Sequence, residues 1–376
     1  MKSGDGPRQS NPQKRNMPKI RVGMISYDHI HAEFRSRALK EMANDVEIVA
    51  VADRDEARVC EAQRKFGGSL YRDYRELLQR SDLDLVFIHS GNHEHKAMVL
   101  DTVSAGKALF CEKPLATNAA DALEMTRAVE SAGLRNTVGF CSRYIPEAER
   151  AKQIIDEGLL GKIISVQAVI GLAGIREIGC PGYMADWMED PIRGGGGALI
   201  DEGSHAFDLL HWFVGDLEAV CSATAKTAKP SLGVEDNAMT LVRFEGGALG
   251  SLSTLWSLNI DIGMRSTLQL FGTDGTLFVD LTTKAPGLCL YSESTEDKAL
   301  QGWTSPHIKP GDTEPHDYLS WPTHVQHYKR EVTDVVKRFQ SGEPFRTTFR
   351  DALKVARVIE AAYRSARANR FVSIEK

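Results

Sequence analysis

The sequence predicts an α/β protein in two parts. A doubly wound parallel sheet comes first, and an α+β domain with a large, mostly antiparallel sheet follows. Three observations carry this. In the first 140 residues short apolar runs alternate with stretches of helical period, which means βαβ units. After about residue 160 strand-like runs follow one another directly, which implies antiparallel or mixed pairing. Two of the later junctions, FEGGALG (244–250) and FGTDGTLFV (271–279), carry Gly or Asp-Gly where hairpins turn.

Taken in order, the buried strands of the first part are KIRVGMIS (19–26), VEIVAVAD (46–53), LDLVFIHS (83–90), KALFCE (107–112) and RNTVGF (135–140). Helical periods fill 31–43, 55–66, 73–80, 94–105 and 118–132 between them. The second part reads as strands IISVQAVIG, LEAVCSATA, AMTLVRFEGG, ALGSLSTLW, STLQLFGTDG and TLFVDL. One helix over 202–214 interrupts them, and two helices near 324–341 and 348–368 close the chain. The resulting division is a polar tail over 1–18 expected to be disordered, a first domain over 19–142 and a second over 143–376, with a closing helix able to pack back on the first.

The 376 residues carry 46 Lys+Arg against 51 Asp+Glu, a net charge of −5 that argues against a general nucleic-acid binder. Mean hydropathy is −0.28, and no apolar run approaches the roughly 18–20 residues of a membrane span. Six scattered cysteines without a CxxC read as free thiols of a reducing compartment. The first 18 residues lack the apolar core of a secretory signal, and the location expected is cytoplasmic.

A strand, a tight turn and a helix, with an acidic residue ending the second strand, is the dinucleotide-binding arrangement. Asp53 supplies the acid, placed to accept from a ribose 2′-hydroxyl, which favours NAD over NADP; Arg54 beside it leaves NADP possible. The turn departs from the glycine pattern. It reads GMISYDHIHAEF, so Ser26, Asp28 and His31 stand where G-x-G-x-x-G has glycines. Ser26, Tyr27, Asp28, His29 and Ile30 are candidate cofactor contacts, although the side chains at 26, 28 and 31 crowd a pyrophosphate and Asp28 adds a like charge; Ser90, at the end of a neighbouring strand, is another.

Five of eleven histidines fall in two loops at one edge of this sheet: His29 and His31, then His89, His93 and His95. They read either as a metal site or as pocket-lining and helix-starting groups; the spacing matches no metal motif, and no metal is expected. Lys113 follows a strand and precedes Pro114, so it points into the cleft or out to solvent. Asp201 and His205 lie four apart on one helical face, as a carboxylate-assisted base or as a helix cap beside a core histidine.

VGMIS, VAVAD, the N-x-x-H of Asn92–His95, AGKALFCEKPLA, GFCSRY, GLLGKI, GGGGALIDEGSHAFDLLHWFVGD and AAYRSARANRFVSI together resemble the Gfo/Idh/MocA oxidoreductases, in that family's order over about 19–376. The resemblance implies an NAD(P)-binding Rossmann domain and a C-terminal α/β domain. It also implies a sugar or polyol secondary alcohol as substrate, and homodimers or homotetramers formed through the second sheet. It makes Lys113 a contact of substrate hydroxyl and nicotinamide ribose, and Asp201 and His205 the acid–base pair. Asn92 and His95 then line the nicotinamide, Glu112 the ribose, and Arg143 and Tyr144 the cleft. Gly91 stands where the family usually has Pro.

Between the two motifs, the segment 172–193 is placed to overhang the substrate. Tyr183 and Trp187 can stack on a sugar face there. Arg176 and Arg193 can pair with an anionic substituent or serve as structural surface groups. The same residues also suit an NAD-dependent glycoside hydrolase that works through transient oxidation, or a non-catalytic sugar sensor.

Overall fold

The computed structural model describes residues 18–259, 264–282, 287–293, 301–306 and 326–375. The expected polar tail falls outside them, apart from Pro18.

The first sheet is the doubly wound one. Its elements are β1 (Ile20–Ile25), α1 (His31–Glu41), β2 (Val46–Ala52), α2 (Glu56–Phe66), β3 (Ser69–Tyr71), α3 (Tyr74–Leu78), β4 (Leu85–Ile88), α4 (His95–Ser104), β5 (Ala108–Cys111), α5 (Ala119–Ser131) and β6 (Asn136–Val138). The strands run parallel in the order β3-β2-β1-β4-β5-β6. Strand order reverses between β1 and β4, and a ligand crevice opens outside the carboxyl ends there. β3 has no counterpart among the apolar runs because three residues, SLY, leave no periodicity to detect. Asp55 and Asn118 cap α2 and α5 by accepting from Arg58 N and Asp121 N.

The second part contains α6 (Pro146–Asp156), β7 (Ile163–Leu172), α7 (Gly182–Met188), α8 (Ala198–Phe213), β8 (Leu217–Ala225), β9 (Asn237–Phe244), β10 (Leu249–Leu255), β11 (Met264–Gly272), β12 (Gly275–Asp280), β13 (Leu288–Ser292), β14 (Gly302–Thr304), α9 (Gln326–Ser341), α10 (Phe349–Ala368) and β15 (Val372–Ser373). Nine strands form one sheet, β14-β13-β12-β11-β7-β10-β9-β8-β15, antiparallel except for the pair β7–β10. Both expected hairpins form, as β9–β10 and β11–β12.

α8 starts four residues before the expected 202. The Glu235 carboxylate accepts from Gly197 N and Leu199 N, both at 3.0 Å, and so caps the helix from 38 residues away. Gly196 precedes it with φ +152°, and a Cβ there would lie 1.9 Å from the Tyr363 hydroxyl. The glycine run is therefore a close-packed entry to the helix.

One face of the first sheet is covered by α1, α2 and α9: Val332, Val335 and Val336 pack against the cluster of Val22, Met24, Val51 and Phe87. The other face carries α3, α4 and α5 in a core continuous with α8, α10 and the inner face of the second sheet. The second sheet's outer face exposes Val169, Met239, Leu241, Leu249 and Trp303.

α10 joins both cores and starts at a capping box: Thr348 Oγ1 accepts from Asp351 N, and Asp351 accepts from Thr348 N. Thr348→Ala should lower unfolding stability by about 1 kcal/mol, read as a lower urea midpoint at unchanged slope.

Candidate active site

Lys113 lies just past the carboxyl end of β5, and α8 brings Asp201 to it. Lys113 Nζ donates to Asp201 Oδ1 at 2.5 Å, with both side chains under one-tenth exposed. Trp256 Nε1 donates to Asp201 Oδ2 at 3.0 Å. Burial alone would lower the pKa of the Lys113 ammonium, but Asp201 and Glu202 beside it raise it to about 12, so it stays a cation.

His205, one turn along α8, faces the same cavity. Its Nδ1 lies 3.2 Å from Ser142 Oγ. Burial and the nearby Lys113 charge hold its pKa well below the ordinary 6.5, so the imidazole is neutral at neutral pH. Both Asp201 oxygens go to Lys113 and Trp256, so the expected acid–base pair takes the form of an anchored lysine beside a separately held histidine. Glu202, also on this wall, is pushed up to about 8 by burial and by Asp201.

A second constellation forms the opposite wall. Glu112 is fully buried; Arg35 and His31 drive its pKa well down against the effect of burial. Its Oε1 meets His31 Nδ1 at 3.2 Å, and its Oε2 receives Arg35 Nη1. Arg35 Nε donates to Glu331 at 2.8 Å. An ionised Glu112 only accepts, so His31 donates from Nδ1 and accepts at Nε2 a hydrogen bond from the Tyr328 hydroxyl, at 2.7 Å. His29, His31 and Glu112 offer ligand-type atoms within 4.8 Å of one another. Both His31 nitrogens and both Glu112 oxygens already have partners, so the trio is a hydrogen-bonded network. Gly139 makes room for it, since a Cβ there would lie 2.6 Å from Arg35 Nη2.

These walls border a cavity of about 240 Å³, whose polar lining includes Lys113, Asp201, Glu202, His205, Ser142, His31 and Tyr328. A larger cleft of about 730 Å³, behind the Lys113 turn and against α10, contains none of these groups.

The turn after β1 is built from side chains. Ser26 adopts the left-handed conformation (φ +65°) that glycine favours. Tyr27 N donates to Asp53, Asp28 N to Ser26 Oγ, His29 N to His89 O and His31 N to His29 Nδ1. Ile30 lines the cavity. Asp53 is not free for a ribose: its oxygens take Tyr27 N, Asp55 N and Arg58 at 2.7–3.2 Å. Asp28 pairs with Arg54 at 2.9 Å and Arg58 at 2.6 Å. Glu112 is likewise consumed, by His31 and Arg35. His95 is buried, its ring nitrogens on the carbonyls of Pro114, Leu115 and Ser90, so it holds the Lys113 turn against β4.

The β4 edge nevertheless keeps polar groups of the kind a dinucleotide needs. Ser90 Oγ, Asn92 Oδ1, the ring nitrogens of His89 and Trp187 Nε1 are buried polar atoms without partners among the described residues, and all belong to the β4 edge and to α7, which covers it. A cavity of about 280 Å³ between Asp53, Arg54, Tyr74 and Met98 opens at the far end of the same edge.

The overhanging segment is turned differently from the expectation. α7 presents Met184 and Met188 to the cavity, while Tyr183 and Trp187 face the cofactor edge. The Arg58 guanidinium lies 4.7 Å from the Tyr183 ring, and Trp187 lies 6.0 Å from His29. Arg176 pairs with Asp186 and Glu189, and Arg193 with Asp190 and Asp186 O, outside the cavity. Arg143 is spent on Asp208 at 2.7 and 2.8 Å, and the Tyr144 hydroxyl on Asp334 at 3.1 Å. Tyr328, Arg35, Glu331 and Trp256 had no local signal; each reaches the site from 55 to 297 residues away.

This is the architecture of a nicotinamide-dependent oxidoreductase, with a Rossmann sheet and a lysine-bearing strand end beside a second, mostly antiparallel sheet. Residues 20–140 match the oxidoreductase family with an NAD-binding Rossmann fold, and residues 148–278 match the GFO/IDH/MocA C-terminal domain. The chain belongs to the Gfo/Idh/MocA family.

It is 26% identical to myo-inositol 2-dehydrogenase of Thermotoga maritima, over 95% of this chain and 99% of that protein. It is 28% identical to trans-1,2-dihydrobenzene-1,2-diol dehydrogenase of Bos taurus, over 68% and 72%. The fold superposes on levoglucosan dehydrogenase in complex with NADH and levoglucosan with a TM-score of 0.83, at 24% identity over 96% of this chain and 100% of that one.

Glu202 gives the site a pH signature. The folded state keeps a proton that the unfolded chain releases near 4.5, so stability falls as pH rises from about 4.5 to about 8. Glu202→Gln should flatten that fall, so that the variant gains melting temperature over the parent more at pH 8 than at pH 5, measured by calorimetry.

Proposed function

We propose that the chain is an NAD-dependent dehydrogenase that transfers hydride between a secondary alcohol of a sugar, polyol or related compound and the nicotinamide. The observation that supports this reading is the convergence of Lys113, Asp201 and His205 on one cavity beside the unsatisfied polar atoms of the β4 edge.

Bound NAD supplies the hydride acceptor. Ser90, Asn92 and Trp187 hold it from the strand edge and from α7. Lys113, locked as a cation by Asp201, stabilises the developing alkoxide as the hydroxyl proton leaves. His205 receives that proton at Nε2, its Nδ1 being held by Ser142. The Glu112–His31–Tyr328 network keeps the facing wall in one protonation pattern. α7 and Ile30 close over the site and exclude water.

Calorimetric titration with NAD should give a single saturable site. Lys113→Ala and His205→Ala should each lower kcat/KM by about 10²–10³-fold while NAD still binds. Full activity in both variants would end these roles, and absence of NAD binding would end the dehydrogenase reading. The apolar outer face of the second sheet supports a homodimer or homotetramer. Leu241→Lys with Met239→Lys should reduce the mass found by sedimentation equilibrium; a parent already monomeric would dismiss it.

A further inference from the structure

Glu202 stands beside the reacting groups, and the reaction described above gives it no task. It follows Asp201 on α8, is 3% exposed, and lines the same cavity as Lys113 and His205. Its Oε2 has no hydrogen-bond partner among the described residues. The group its carboxyl does meet is the Asp201 carboxylate, which accepts its proton in a hydrogen bond. An ionised carboxylate offers about four lone-pair positions, so Asp201 can take this third donor besides Lys113 Nζ and Trp256 Nε1.

The charges present decide which state the two carboxyls adopt. Among the described residues Lys113 is the cation that faces both. Glu112, the other acid near Lys113, is matched by Arg35 and His31. Two carboxylates against one ammonium, all under one-tenth exposed, would leave a buried charge uncompensated, so one carboxyl keeps a proton. Asp201 already receives Lys113 and Trp256, so the proton belongs to Glu202, whose pKa burial and Asp201 raise to about 8. Of the other titratable groups on the cavity wall, burial holds His29, His31 and His205 neutral and pushes Cys141, Cys180 and Tyr328 upward. None of these changes charge near pH 8. His327, on α9, borders the cavity as well.

We propose that Glu202 is a positioning residue of this site: as a neutral acid it donates to Asp201 and leaves Lys113 with a single carboxylate to answer. The inference rests on the dehydrogenase reading above and adds a group to it. The Lys113 charge stays available to the developing alkoxide while Glu202 keeps its proton. Once that proton leaves, two carboxylates draw on the same ammonium, and the repulsion they add opposes the alkoxide.

The test uses the full chain. With carbon-13 in the glutamate side-chain carboxyls, one NMR signal is the one that Glu202→Gln removes; Glu202→Leu assigns the same signal if the Gln variant fails to fold. In the parent that signal should move as the pH passes about 8. With NAD and either myo-inositol or glucose, kcat/KM of the parent should fall about tenfold between about pH 7 and pH 9. In Glu202→Gln, whose amide still donates to Asp201, the two rates should agree within about twofold. Glu202→Leu cannot donate; its profile should be equally flat, with kcat about tenfold below Glu202→Gln and KM little changed. A carboxyl signal that has finished moving below about pH 6 would overturn the proposal. So would an alkaline fall that survives in Glu202→Gln and is abolished by His327→Gln instead. No turnover of either alcohol would count against the dehydrogenase reading, and the carboxyl signal would still decide whether Glu202 holds its proton against Asp201.

Discussion

The buried ion pair between Lys113 and Asp201 is the constraint on which the rest of the site depends. Lys113 belongs to the first sheet and Asp201 to α8 of the second part, so the pair fixes where one stands against the other. Two charges taken out of water are costly, and their mutual attraction repays that cost only when the remaining polar atoms are also satisfied. Trp256, from the end of the second sheet, completes Asp201. Removing either partner would leave a charge buried and alone, a loss on the order of 3–5 kcal/mol. Arg35 repeats the logic between Glu112 and Glu331, and so joins β5 to α9.

Much of this was legible in the sequence, and the remainder has identifiable causes. Apolar runs gave the strands, because a parallel sheet covered on both faces needs nearly continuous apolar segments. The place of Lys113 at the carboxyl edge was legible because a strand end followed by Pro opens into a loop there, while the choice between cleft and solvent waited on Asp201 from α8. What sequence reasoning missed is what comes from far away: the Glu235 cap that starts α8 early, and the Tyr328 hydroxyl on His31. In α7 the spacing shows two stripes, Tyr183 with Trp187 and Met184 with Met188, both four apart. Aromatic character suggested the first for the substrate, and the orientation of the helix turns the second toward the cavity.

The turn after β1 shows how a strand-turn-helix junction can dispense with glycine. Glycines let a ligand reach the backbone and leave the amides free for it. Here Ser26 takes the left-handed conformation, and the Asp53 carboxylate and the His89 carbonyl accept amides that a glycine turn would leave open. The acid at the end of β2, which in the glycine pattern faces the ribose, has become a brace for the turn itself. The charge of Asp28 is answered by Arg54 and Arg58 in the same way.

The packing of α9 on the first sheet bears on the order in which the chain can fold. Val332, Val335 and Val336 complete a hydrophobic layer begun by residues 20–110, so the part of that face left open by α1 and α2 stays uncovered until the last fifty residues arrive. During synthesis that face must wait for some two hundred intervening residues, and closure of so long a loop is slow compared with local helix formation. An apolar surface left open in this way favours association with other chains until α9 docks on it. The boundary between its two sheets divides the architecture without dividing it into independent folding units.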